Sequence, residues 1–149
     1  MKVYLGGDHA GFELKKELIA FLEKKRFEVV DRGPFSFDST DDYPDFVFLV
    51  ADVVSREKGE VRGIVIGGSG NGETIVSNRL PNVRAISFYG GNTDIIRLGR
   101  EHNDANILSL GARFIDTEEA KRAVEIFLQT EFSNDERHIR RIKKIDTPR

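Results

Sequence analysis

The chain has no cysteine among its 149 residues. That absence removes disulfides, thiolate metal ligands and thiol nucleophiles together. Histidine is scarce as well: the three copies, His9, His102 and His138, are scattered and offer no metal-ligand spacing, so no metal or other cofactor is expected. Neither sign of charge dominates. With 23 Lys and Arg against 25 Asp and Glu, the formal net charge is -2, and bulk attraction to nucleic acid or to an anionic membrane has no basis. No apolar run approaches the ~20 residues of a membrane-spanning helix. The opening Met1–Gly7 enters a strand-like stretch directly, without a signal-peptide layout, so a cytoplasmic protein is expected. Repeats, low-complexity stretches and linkers are missing too. The expectation is a single domain over 1–149, large enough for a hydrophobic core, with a basic helical tail over about 133–149.

What remains is a regular alternation. Val3–Leu5, Phe27–Asp31, Val61–Ile66, Val83–Ser87 and Ala105–Leu110 are short apolar runs that predict strands. Between them, Leu14, Leu18, Phe21 and Leu22 recur at helical spacing, as do Phe46, Val47, Val50, Val53 and Val54, and later Ala120, Val124, Phe127 and Leu128. Asp94–Arg100 also reads as helical, and 32–42, rich in Gly, Pro, Ser and Asp, reads as loop. Strands alternating with helices predict an α/β fold, a Rossmann-like three-layer sandwich around a five-stranded parallel sheet.

In such sheets ligands bind beyond the carboxyl ends of the strands. The densest signal falls there: Gly67-Gly68-Ser69-Gly70-Asn71-Gly72-Glu73, after Ile64-Val65-Ile66 and before Thr74–Arg79, which can open a helix. Four glycines in six residues exceed what a simple turn requires, and such a loop leaves backbone amides free to face an anion. It is a P-loop pattern without its lysine, because Glu73 occupies that place, and a nucleotide triphosphate would meet repulsion there. The dinucleotide pattern G-x-G-x-x-G fails at the same residue. An acid beside an anion cradle suits proton transfer next to a developing negative charge. Acids are common in a helix's first turn for dipole reasons alone, and that dipole lowers the pKa whereas burial raises it.

Asp8-His9 follows the first strand and is able to cap a helix or to hold a substrate hydroxyl. Arg113 follows the fifth strand. His102, in the polar run Arg100–Asn106, precedes that strand at a helix end, so it would join the same site from another subunit. Arg137 and Arg141, spaced i, i+4, share one helix face and suit phosphate recognition; a solvated basic face is the plainer reading of the run.

Together these residues resemble one family, the type B ribose-5-phosphate isomerases, which also includes galactose-6-phosphate isomerase subunits. The resemblance runs through Gly7–Phe12, Asp42–Phe46, Gly67–Glu73, Arg100–Asn106, Gly111–Arg113 and Arg137-His138 with Arg141. It implies interconversion of ribose 5-phosphate and ribulose 5-phosphate without cofactor or metal. It also implies a homodimer or homotetramer whose active sites are shared between subunits. Many members carry a cysteine base at the position of Gly67, and this chain is similar instead to the subgroup with a glutamate base. The resemblance therefore implies Glu73 as base and His102 as the group that opens the furanose ring. It further implies Asp8, His9, Gly68, Ser69, Gly70, Asn71, Gly72 and Asn103 as sugar- or enediolate-binding. Arg113, Arg137 and Arg141 would bind phosphate, with His138 assisting. The amides of Gly70, Asn71 and Gly72 are expected to face the enediolate. An isomerase of a six-carbon sugar phosphate and a non-catalytic phosphosugar-binding module are the alternatives.

Overall fold

A computed structural model describes residues 1–57 and 59–147. Five parallel strands, β1 (Lys2–Gly7), β2 (Glu28–Asp31), β3 (Val61–Gly67), β4 (Ala85–Phe88) and β5 (Ile107–Gly111), form one sheet in the order β2-β1-β3-β5-β4. The three central strands are almost wholly buried and carry the continuous apolar runs; β2 and β4, at the edges, are only partly covered.

Side chains alternate across the sheet. Val3, Leu5, Ile64, Ile66, Leu108 and Leu110 meet Leu18 and Leu22 of α1 (Phe12–Lys24), Ile96 of α4 (Asp94–Asn103) and Val124 and Phe127 of α5 (Thr117–Gln129). Tyr4, Val65 and Ile107 point the other way. There they meet Val47, Val50, Ala51 and Val54 of α2 (Tyr43–Arg56), with Val76 of α3 (Asn71–Ser77) beside them. This is the expected α/β fold with a covered parallel sheet. Among the described residues no helix is long and apolar enough to cross a membrane.

Two boundaries differ from the sequence reading in ways that matter. Helix α3 begins at Asn71, three residues before the expected Thr74, because the Thr74 amide and hydroxyl both donate to the Gly70 carbonyl, at 3.0 and 2.8 Å. Strand β4 starts at Ala85 rather than Val83, since the Arg84 amide donates to the Asn106 side chain at 2.8 Å instead of joining the ladder. The basic tail forms α6 (Glu136–Asp146), which packs on α4.

The chain leaves β1 toward β2 on one side and returns to β3 on the other. The carboxyl ends of β1 and β3 thus flank the point where the strand order reverses, which is where an open parallel sheet offers a crevice.

Candidate active site

A cavity of about 390 Å³ opens at that point. Asp8 from the end of β1, Gly68, Ser69 and Gly72 from the glycine loop, Glu73 from the first turn of α3 and Arg113 from beyond β5 all line it. Tyr43, at the start of α2, and Phe114 complete the wall.

Glu73 is only 3% exposed. Its carboxylate lies over the Gly67 backbone: a Cβ built on Gly67 would sit 1.7 Å from Glu73 Oε1, so no side chain fits at position 67 while the carboxylate is there. Burial pushes the Glu73 pKa above the ordinary 4.5; its own backbone N–H opposes the shift, and the negative charge of Asp8 adds to it. Desolvation is the largest cause of the shift. A carboxylate with a raised pKa is a stronger base once ionised, and so better matched to proton abstraction near neutrality.

The loop below Glu73 is held from three sides. Gly70 takes φ of 80°, a left-handed conformation that favours glycine, and its carbonyl accepts from Ser109 Oγ at 2.7 Å as well as from Thr74. Ala112 N and Arg113 N donate to the Gly67 and Gly68 carbonyls at 2.8 and 3.1 Å, and the Arg113 side chain lies against Gly68. With the carbonyls turned inward, the amides of Ser69, Gly70 and Gly72 donate to no acceptor among the described residues. The Asn71 amide departs from the sequence expectation: it donates to Ser69 Oγ at 3.3 Å, a local turn that a short polar side chain two residues back can close. Of the expected Gly70, Asn71 and Gly72 amides, those of Gly70 and Gly72 are thus left open, and that of Ser69 joins them.

Asp8, 7% exposed, accepts the Ala10 amide at 3.0 Å through Oδ1 and so caps the 3-10 turn His9–Gly11. His9 next to it is gripped by Asp41: one carboxylate oxygen accepts from the His9 backbone N–H at 3.0 Å and lies 2.6 Å from ring Nδ1. Asp8, His9 and Asp41 each bring a polar atom within 4.8 Å of the others, which is the one set among the described residues that would suit a cation. The scarcity of histidine gave no hint of it, because two of the three residues are carboxylates. Tyr43 falls within the Asp42–Phe46 motif, but Asp41 and Phe114 carry no sequence signal of a site.

His102, Asn103, Arg137, His138 and Arg141 are gathered elsewhere. His102 ends α4 and stacks on His138 of α6, with ring centroids 4.3 Å apart and planes 13° from parallel. Burial lowers the His138 pKa, and the neighbouring His102 and Arg137 charges lower it further. Its Nε2 is buried without a hydrogen bond among the described residues. Arg137, Arg141 and Asn103 are exposed around this pair. The cluster sits before the amino end of β5, whereas Glu73 follows the carboxyl end of β3. The five residues of β5 separate the two ends by about 15 Å at ~3.3 Å per residue. The two clusters of expected site residues therefore lie at opposite ends of the sheet within one chain.

Comparisons with known proteins find relatives over nearly the whole chain. Residues 3–145 match the family described as Ribose/Galactose Isomerase. Ribose-5-phosphate isomerase B of Mycolicibacterium paratuberculosis is 44% identical over 142 residues, 95% of this chain and 87% of the relative. The enzyme of the same name from Mycobacterium tuberculosis is 42% identical over the same share of this chain and 86% of its own. Among solved structures, ribose-5-phosphate isomerase B from Mycoplasma genitalium with bound ribulose-5-phosphate superposes with a TM-score of 0.92 at 40% identity, covering 97% of this chain and 93% of that one. The Clostridium thermocellum ribose-5-phosphate isomerase B gives 0.91 at 42% identity, covering 98% and 95%. The chain belongs to the ribose/galactose isomerase family.

Proposed function

We propose that this protein interconverts D-ribose 5-phosphate and D-ribulose 5-phosphate through a cis-enediolate, and that it belongs with the family members whose base is a glutamate. The observation that carries the reading is a buried carboxylate of raised pKa, lying where a side chain on residue 67 would otherwise be, beside the loop amides of Ser69, Gly70 and Gly72, which have no partner among the described residues. The relatives' names and the ribulose-5-phosphate held by the Mycoplasma genitalium structure support the substrate.

In this mechanism Glu73 removes the proton from C2 of the open-chain aldose and returns one to C1. The charge that develops on the enediolate oxygens is met by the amides of Ser69, Gly70 and Gly72, each such donor being worth about 3 kcal/mol at a transition state. Arg113 binds the phosphate from the rim, so remote binding energy holds C1 and C2 beside the carboxylate. His102 of a second subunit protonates the ring oxygen, Asp8 accepts the O1 proton, and Arg137 and Arg141 of that subunit close on the phosphate with His138. A two-fold dimer, or a tetramer built from such dimers, supplies this arrangement, because it brings the β3 end of one chain against the α4–α6 end of the next.

The test is incubation with ribose 5-phosphate in D2O containing EDTA. Solvent deuterium is expected in both sugar phosphates as they equilibrate; binding without exchange would identify a carrier rather than an enzyme. Allose 6-phosphate and galactose 6-phosphate run alongside report whether the pocket prefers six carbons.

A further inference from the structure

We propose that Asp41, in the loop between β2 and α2, is a positioning residue for this reaction: it holds His9, beside the cavity-lining Asp8, in one tautomer and one orientation. The proposal rests on that cavity being the place of chemistry.

The 32–42 loop is anchored at both ends. Lys15, 1% exposed, donates to Asp31 Oδ1 at 2.6 Å and to the Pro34 carbonyl at 2.8 Å, and Asp31 Oδ1 also accepts the Gly33 amide at 2.8 Å. Gly7 N donates to the Gly33 carbonyl, which ties the loop to the end of β1. Near its other end, Asp38 Oδ1 accepts the amide and hydroxyl of Thr40 at 2.9 and 2.7 Å, and the Asp41 amide donates to the Asp38 carbonyl at 3.2 Å. Asp42 then caps α2. Two successive turns thus deliver the Asp41 side chain inward, where it is 8% exposed, in a loop whose neighbouring side chains from Phe35 to Thr40 face solvent.

There the carboxylate is aimed at a single residue. Oδ1 receives both the backbone N–H and ring Nδ1 of His9, while Oδ2 is buried without a partner among the described residues. An acceptor-only carboxylate oxygen at 2.6 Å requires the proton to be on Nδ1, so Nε2 is the ring atom left for a ligand. Phe37 meets the His9 ring edge-on at 6.4 Å between centroids and limits its rotation. Asp8, which lines the cavity, is within 4.8 Å of the pair. A carboxylate buried with one oxygen unsatisfied is costly to maintain, and structural needs alone are met by the backbone turns of the loop.

The experiment is a double-mutant cycle with a spectroscopic readout. Asp41→Ala should lower kcat/KM for ribose 5-phosphate about ten- to a hundredfold, the span expected when a charged hydrogen bond is lost, with the thermal midpoint little changed. Asp41→Asn keeps an oxygen facing two N–H donors and should recover part of the loss. The double variant Asp41→Ala/His9→Asn should be no slower than His9→Asn alone, since the two residues act as a unit. In 15N-labelled protein, His9 should show a protonated Nδ1, replaced in Asp41→Ala by the Nε2–H form or a mixture. Additive losses in the cycle, wild-type kcat/KM in Asp41→Ala, or an Nε2–H His9 in the unmodified protein would each overturn the proposal. The tautomer is read without turnover, so it stands apart from the Glu73 assignment; an active Glu73→Gln would sink that assignment and leave the His9 spectrum unaffected.

Discussion

In the proposed reaction Glu73 is the side chain on which the chemistry turns, and its burial makes two separate demands. As base, its carboxylate is required and its shape is not enough: Glu73→Gln is expected to abolish turnover while ribose 5-phosphate still binds, and a kcat near that of the native enzyme would show that another group takes the C2 proton. As a buried acid, it weakens the fold whenever it is charged. Its pKa is raised by folding, so the native state holds a proton that the unfolded chain releases. The contribution to stability is then complete below about 4.5, the unfolded value, and is lost as the pH rises through the higher native value. Glu73→Gln should therefore raise the thermal midpoint at pH 7 to 8 and leave it nearly unchanged at pH 4, as a melting series across pH would show. Gly67 belongs to the same argument. A methyl group at Gly67 would overlap the carboxylate, so Gly67→Ala should displace Glu73 and cost most of kcat. Its circular dichroism should stay native, because the clash is with a side chain that has a cavity to move into.

In the proposed reaction each end of the sheet supplies both a group for the chemistry and a ligand for the phosphate: Glu73 and Arg113 at one, His102 and the α6 arginines at the other. Helix α6 offers Arg137 and Arg141 on an exposed face while burying His138 against His102. Arg137→Ala is accordingly expected to raise KM with kcat largely kept; a fall in kcat at constant KM would remove Arg137 from ground-state phosphate binding. His102→Asn should slow turnover of the cyclic sugar more than that of ribulose 5-phosphate, which has no furanose ring to open. The elements themselves were largely legible, because buried parallel strands advertise themselves as continuous apolar runs and covered helices as spaced ones. What the pattern did not carry was hydrogen bonding by loops. The early start of α3 depends on Thr74 reaching back to Gly70, and the diversion of the Asn71 amide depends on Ser69. Asp41 meets a residue 32 positions away through a loop with no periodicity at all, so nothing in the order of residues pointed to it. The six residues Asp8, Gly68, Ser69, Gly72, Glu73 and Arg113 do converge as their motifs implied, since each follows the carboxyl end of a neighbouring strand.

In the proposed assembly the two clusters meet across subunits, and mutant complementation tests this directly. Glu73→Gln disables one end of the chain and His102→Asn the other. In a two-fold dimer with sites shared across the interface, a heterodimer of the two variants has one site with both lesions and one with neither. Random reassortment makes half of the dimers heterodimers, so a mixture allowed to exchange subunits should recover about one quarter of native activity from two nearly inactive parents. The recovery should track subunit exchange, rising after dilution and reconcentration or mild denaturation and refolding. If each chain instead carried a complete site, every site in the mixture would hold a lesion and no activity would return. The about 15 Å set by β5 makes that second outcome the one at odds with the structure, since neither a glutamate nor a histidine side chain spans such a distance within one chain.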